Sequence, residues 1–301
     1  MKLGDSIIKA RNDAKKLIGD ILGDSSANEL EKLEEEYNLI NHIQKLESSL
    51  KGKKIKEHTD IKTLDDGSII GRVMIGDSWL PFVGEKLISE INGKTILDCE
   101  KISIFPNGKI GGKVGIGSKW QIFIGDEIIS EICGITFDDC SFIHSQPNGN
   151  LAGVIKSKGK TYLFSGNNLI SEIGGKKTED FHYVHTNIKG ELVGRVTVDG
   201  GKWLPFVGDK LITEIGGKKI DGCYYIHSQP NGTLAGAVRT EGKRLPFIGD
   251  AIIREINGQE ITGCSDIDTN NNGKLTGKVK INGEEFHING DDIIEMILSN
   301  L

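Results

Sequence analysis

No stretch of the 301-residue chain approaches the roughly 20 uninterrupted apolar residues of a membrane-spanning helix, so no membrane span is expected. The opening residues MKLGDSIIKARNDAKK carry charges where a secretion signal has its apolar run, and a cytoplasmic protein is expected. An excess of basic charge is also missing. The net charge of -6 argues against a general nucleic-acid surface, which needs cations to displace counterions from phosphate. With only six prolines among 301 residues, the chain is not a low-complexity linker.

Catalytic motifs are equally scarce. There is no Gly-x-Ser-x-Gly elbow, no full Gly-x-x-x-x-Gly-Lys-Ser/Thr phosphate loop, no Cys-x-x-Cys pair and no His-Glu-x-x-His helix. Carboxylates are plentiful but fall at equivalent turn positions, whereas acid-base catalysis needs different groups in different roles. No cofactor is expected, and the chain reads as non-catalytic.

What is abundant is glycine, forty residues of it, and it is periodic. The pattern Gly-x-(Leu or Ile)-x-Gly begins at Gly67, Gly108, Gly149, Gly190, Gly232 and Gly273, at intervals of 41, 41, 41, 42 and 41 residues. Such a period belongs to propellers and solenoids. In the fifth copy, turn residues separate four strands: Cys223 to Gln229, Leu234 to Thr240, Arg244 to Ile248 and Ala251 to Ile256. The second is apolar on both faces, so it should be buried between sheets, and its small residues suit a crowded place near the axis of a radial assembly.

Six four-stranded copies across residues 58–301 resemble the β-propeller repeat proteins in period and strand count. The resemblance implies an all-β, six-bladed propeller; an open or circular β-solenoid is the alternative. Neither the WD dipeptide nor a Ser-x-Asp-x-Gly box ties it to a particular class. Residues 1–57 are different in kind. Ile7, Ala10, Ala14, Leu17 and Ile21 mark a helix over 5–22, and Ser26 with Glu29 caps a second running to about Leu50. This α-helical hairpin leaves two apolar stripes to cover. They could pack on the chain's own repeats, pair with another copy through a coiled coil formed by residues 5–50, or dock to a different protein.

Cys99, Cys140, Cys223 and Cys264 share one repeat position, filled by Phe181 in the fourth copy, which implies a small buried slot and free thiols. Cys133 lies outside that register. His144, His185 and His227 recur at another position, too far apart for one metal, and should bond a loop or the next copy. Asp268, Asn270 and Asn272 open like a calcium loop, but the asparagines also suit an ordinary turn. Trp79, Trp120 and Trp203 occupy a position where other copies have Thr161, Arg244 and Glu285, and they could stack on a glycan or anchor a protein.

The turn between third and fourth strands carries Glu85, Asp126, Asn167, Asp209, Asp250 or Asp291, placing carboxylates at one equivalent position in five copies. Strand alternation puts that turn on the same side as the turn between first and second strands, and the other two connections opposite. The expected function is a protein-interaction scaffold whose acidic turns meet a basic protein partner. A glycan-binding propeller and a metal-assisted hydrolase or lactonase are the alternatives.

Overall fold

The computed structural model describes residues 38–50, 52–64, 66–198, 200–229, 231–270 and 274–289. The expected helix over 5–22, the start of the second helix, Asn272, Asp291 and the fourth strand of the sixth copy lie outside the described residues. The chain divides into two compact units, Met1–Ser89 and Glu90–Leu301.

In the first unit, residues 38–49 are helical, and Ile55–Thr63, Ile69–Ile75, Ser78–Val83 and Lys86–Leu87 form an antiparallel sheet in sequence order. The stripe expected on the helix is used here. Leu46 is completely buried with Ile69, Val73 and Phe82, and Leu39 and Ile43 pack at the edge of the same cluster.

The second unit repeats that sheet. Its second and third strands are longest and best buried: Ile110–Ile116 with Lys119–Ile124, Leu151–Ser157 with Lys160–Ser165, Leu192–Val198 with Lys202–Val207, Leu234–Thr240 with Lys243–Ile248, and Leu275–Ile281 with Glu284–Asn289. Alternate positions face the neighbouring copies on either side, so the core lies between successive sheets. One apolar cluster runs from Ala152 through Val193 and Phe206 to Cys223 and Phe247. Strands order themselves as in the sequence, with the second strand inside each sheet between the first and the third, and first strands of neighbouring copies in the second unit meet.

The fourth strand departs from expectation. Instead of one strand from Ala251 to Ile256, Ala251–Ile252 pairs with the third strand while Glu255–Ile256 turns away and pairs with Gln259 and Glu260. The same small hairpin follows at Glu90, Glu131, Glu172 and Glu214. Its turn places two consecutive residues at positive φ, as in Asn92-Gly93, Gly174-Gly175 and Asn257-Gly258, the geometry that favours Asn-Gly and Gly-Gly in two-residue hairpins. Cys133 occupies the first of these positions with φ 53°. It therefore belongs to the repeat after all, in the hairpin register.

The recurrent second glycine has a steric cause. In each first strand a bulge interrupts the pairing, for instance between Ser141 and His144 and between His182 and His185. Phe142, Tyr183, Asp60 and Asp266 sit at the bulge with φ between 53° and 56°. Near the bulge the first strand's backbone presses on the second strand at the glycine. A Cβ at Gly236 would overlap the Tyr225 carbonyl oxygen, and one at Gly277 would lie 2.7 Å from the Asp266 carbonyl oxygen. Opposite these glycines stand Phe82, Phe123, Phe164, Phe206 and Phe247 on the third strands, all essentially inaccessible. The missing side chain leaves room for a ring: a Cβ at Gly194 would be 3.0 Å from Phe206.

The slot inferred from cysteine and Phe181 is buried in the second to sixth copies, whereas the first copy has the exposed His58 at the equivalent position. All five cysteines are free. Burial pushes the Cys140, Cys223 and Cys264 thiols up to about 12, so they are poor nucleophiles at neutral pH.

Candidate functional site

In the second unit two sets of turns share one side. The turn between first and second strands touches the turn between third and fourth within each copy, where the Asn150 side chain approaches Gly166 and Thr233 approaches Gly249. It also touches the corresponding turn of the next copy: Pro147 covers Gly190, Ile188 covers Gly232, and the Gln146 side-chain amide donates to the Gly190 carbonyl at 3.0 Å. Glycine-aspartate at the third-to-fourth turn has a local reason. Gly125, Gly166, Gly208 and Gly249 adopt φ of 55–59°, and each donates its N–H to the first residue of the second strand. The following side chain then stands clear of the backbone, leaving Asp126, Asn167, Asp209 and Asp250 exposed. In the first unit Glu85 occupies this position, also exposed, and forms a 3.1 Å ion pair with Lys45 on the helix.

The hairpins correct one sequence expectation, that the connection to the next copy lies wholly on the opposite side. The tip at Gly174 donates its N–H to the Asp209 carbonyl at 2.7 Å. A Cβ at Gly216 would overlap the Asp250 carbonyl oxygen. These two hairpin tips therefore abut the acidic turns of the following copy.

The three histidines bond neighbouring copies, as expected. His144 Nε2 lies 2.8 Å from the Val184 carbonyl, so this nitrogen donates. His185 is defined more fully: the Ser228 N–H donates to Nε2 at 3.0 Å, leaving Nδ1 to donate to the Tyr183 carbonyl at 3.0 Å. Its ring stacks on that of His227 at 6.5 Å, and His227 Nδ1 is 3.5 Å from Asp268 Oδ1. Burial holds the His185 imidazole below its ordinary 6.5, with the neighbouring His227 adding to the effect. Because the unfolded imidazole takes up a proton that the folded one resists, stability is lost as pH falls below 6.5. Urea unfolding near pH 7 and about pH 5 should show that loss, and His185→Asn should reduce it; an unchanged slope would remove His185 as the cause.

Asp268 and Asn270 serve the turn. Asp268 Oδ1 accepts from the Thr269 N–H at 2.7 Å and Asn270 Oδ1 from the Lys274 N–H at 2.9 Å. No group of three or more metal-binding side chains occurs among the described residues.

Each tryptophan is half-buried beneath a cation of the second strand. Arg72 lies 5.3 Å from the Trp79 ring centre, Lys113 4.5 Å from Trp120 and Arg195 4.6 Å from Trp203. The cation then reaches onward: Arg195 Nη1 donates to the carbonyls of Cys223 and Tyr224 at 3.1 and 2.8 Å. Where Val154 replaces the cation, Thr161 replaces the tryptophan. Where Ala237 does, Arg244 stands at the tryptophan position and covers Tyr224 at 3.6 Å. One face of each indole is thus occupied by the protein itself.

No family model matches the chain, and no curated protein matches it. Among solved structures it is similar to the Dos1 propeller, with 10% identity and TM-score 0.40 over 76% of this chain and 66% of that one. It is also similar to the extracellular domain of a one-component system from B. thetaiotaomicron, with 10% identity and TM-score 0.40 over 79% of this chain and 34% of that one. A third is virginiamycin B lyase from Staphylococcus aureus, with 12% identity and TM-score 0.34 over 75% of this chain and 82% of that one. The chain thus spans less than two thirds of the first two.

Proposed function

We propose that the chain is a non-catalytic interaction scaffold, a six-bladed propeller in which each 41-residue copy is one blade, and that its acidic turns dock a basic protein partner. The observation that carries this reading is the exposure of Asp126, Asp209 and Asp250 at one repeat position on one side of the second unit. Glu85 and Asp291 are their equivalents in the first and sixth copies. Clustered carboxylates sum to a negative potential that speeds encounter with a cation and fades with salt. Other chemistry-bearing side chains are already engaged: His185 uses both ring nitrogens within the fold, and the tryptophans lie under cations. Five free thiols support a reducing compartment.

The test uses hexalysine as the basic probe, with association followed at several salt concentrations. Replacing Asp126, Asp209 and Asp250 together by Asn should slow association about tenfold at low salt and flatten its salt dependence. A control triple variant at Glu179, Asp221 and Glu284, away from these turns, should behave as the parent does. Equal losses in both triples would mean net charge alone attracts the probe and would reject the turn face.

A further inference from the structure

Among the described residues, the hairpin tips seen pressed against the following third-to-fourth turn are two that have no side chain. Gly174 reaches the Asp209 carbonyl and Gly216 approaches that of Asp250, and in both places a Cβ would be crowded. Between the second and third copies the tip residue is Cys133, and the opposing turn residue is Asn167. Among the described residues no backbone bond joins the two, and the Asn167 carbonyl has no donor. A groove of about 560 Å³ opens at this place, with Ile129 and Leu151 presenting apolar surface above the buried Phe164 and a rim that includes Glu131 and Asn167. Its size lies within the range of about 300–1,000 Å³ usual for ligand sites. Among the described residues that line it, Glu131 carries the one charge, a negative one.

We propose that this groove holds an extended peptide segment of a partner, carrying a basic side chain beside an apolar one. The apolar side chain covers Ile129 and Leu151, the basic one faces Glu131, and a peptide N–H takes the Asn167 carbonyl as Gly174 takes that of Asp209. Main-chain pairing supplies affinity and the alternating side chains supply specificity in such recognition. This deepens the acidic-turn reading and rests on it, since the groove opens beside the equivalent turn of the third copy, where Asn167 stands in place of the carboxylate, and selects the same charge. The cysteine is what keeps the groove open: a glycine there lets the tip close on Asn167.

Fluorescence anisotropy with a labelled Lys-Ile-Lys-Ile-Lys peptide tests this, with Glu-Ile-Glu-Ile-Glu as the comparison. The basic peptide should bind the full chain at least about tenfold more tightly than the acidic one. Cys133→Gly should weaken it about tenfold, Cys133→Ser, which keeps the Cβ, should leave it unchanged, and Glu131→Gln should weaken it about threefold. Leu151→Trp, which fills the groove without touching the hairpin, provides a second route to the same loss. Failure of the basic peptide to bind the parent chain, or binding indifferent to both Cys133→Gly and Leu151→Trp, overturns the proposal. Loss of peptide binding in the triple aspartate variant with none in Cys133→Gly or Leu151→Trp rejects the groove and keeps the acidic-turn reading. Loss in Cys133→Gly and Leu151→Trp with none in the triple variant keeps the groove and rejects the turns.

Discussion

Gly236→Ala should destabilise the second unit by about 3 kcal/mol, the upper part of the usual cost of overpacking a core, whereas Gly242→Ala should cost about 1 kcal/mol. The contrast separates two uses of one residue. Gly242 sits in a turn at φ 79° with open space around its α-carbon, so an added methyl meets only the intrinsic penalty of a left-handed backbone. At Gly236 the methyl would enter the Tyr225 carbonyl and approach the Ile226 α-carbon at 3.1 Å. Backbone atoms cannot rotate away as a side chain can. Relief requires the first strand to separate from the second, which costs ladder bonds such as those pairing Ile226 with Gly236. Urea midpoints of the two variants decide it: equal shifts would mean that the first strand yields freely and that the glycine period reflects turn chemistry alone.

The reciprocal change, Phe247→Ala, should cost about 3–5 kcal/mol, the range for deleting a buried aromatic ring. Phe247 is 1% exposed and belongs to the cluster joining three copies. The gap left would be bounded by Gly236, which has no side chain to move into it, so the site collapses poorly. Phe286→Ala offers the comparison, since this ring is 44% exposed and its loss should cost under about 1 kcal/mol. Similar costs at the two positions would contradict the placement of the core between sheets.

These two residues also show what the sequence could and could not convey. The six-fold recurrence of Gly-x-(Leu or Ile)-x-Gly exposes the period, and Asn-Gly and Gly-Asp mark the turns, because both depend on local backbone preferences. The reason for the second glycine was hidden. It is pressed by a bulge in a different strand, and the positive φ at that bulge falls on Asp60, Phe142, Tyr183 and Asp266, with no glycine or asparagine to betray it. The hairpin that follows each of the first five copies was present as Glu-Ile-x-Gly or Glu-Ile-Gly-Gly, yet its isoleucines continue the apolar alternation of the strand before it, so it read as one longer strand.

For the site, the exposed carboxylates were legible because a turn side chain after glycine has nowhere else to go. The histidines were correctly tied to neighbouring copies, but their partners, such as Ser228 for His185, lie some forty residues away and leave no local signal. The tryptophans carried a readable clue in the paired changes of Arg72 with Trp79, Lys113 with Trp120, Val154 with Thr161 and Arg195 with Trp203. Cys133 departs from asparagine and glycine at its hairpin position, and only the crowding around Gly174 and Gly216 gives that departure a consequence.

The claim that the acidic turns form the docking face is tested most directly by carbodiimide coupling of hexalysine to the full chain, followed by peptide mapping of the linked carboxylates. The expected result is coupling concentrated at Asp126, Asp209 and Asp250 at low salt and suppressed at high salt. Coupling spread evenly over these residues and over Glu179, Asp221 and Glu284 would contradict it.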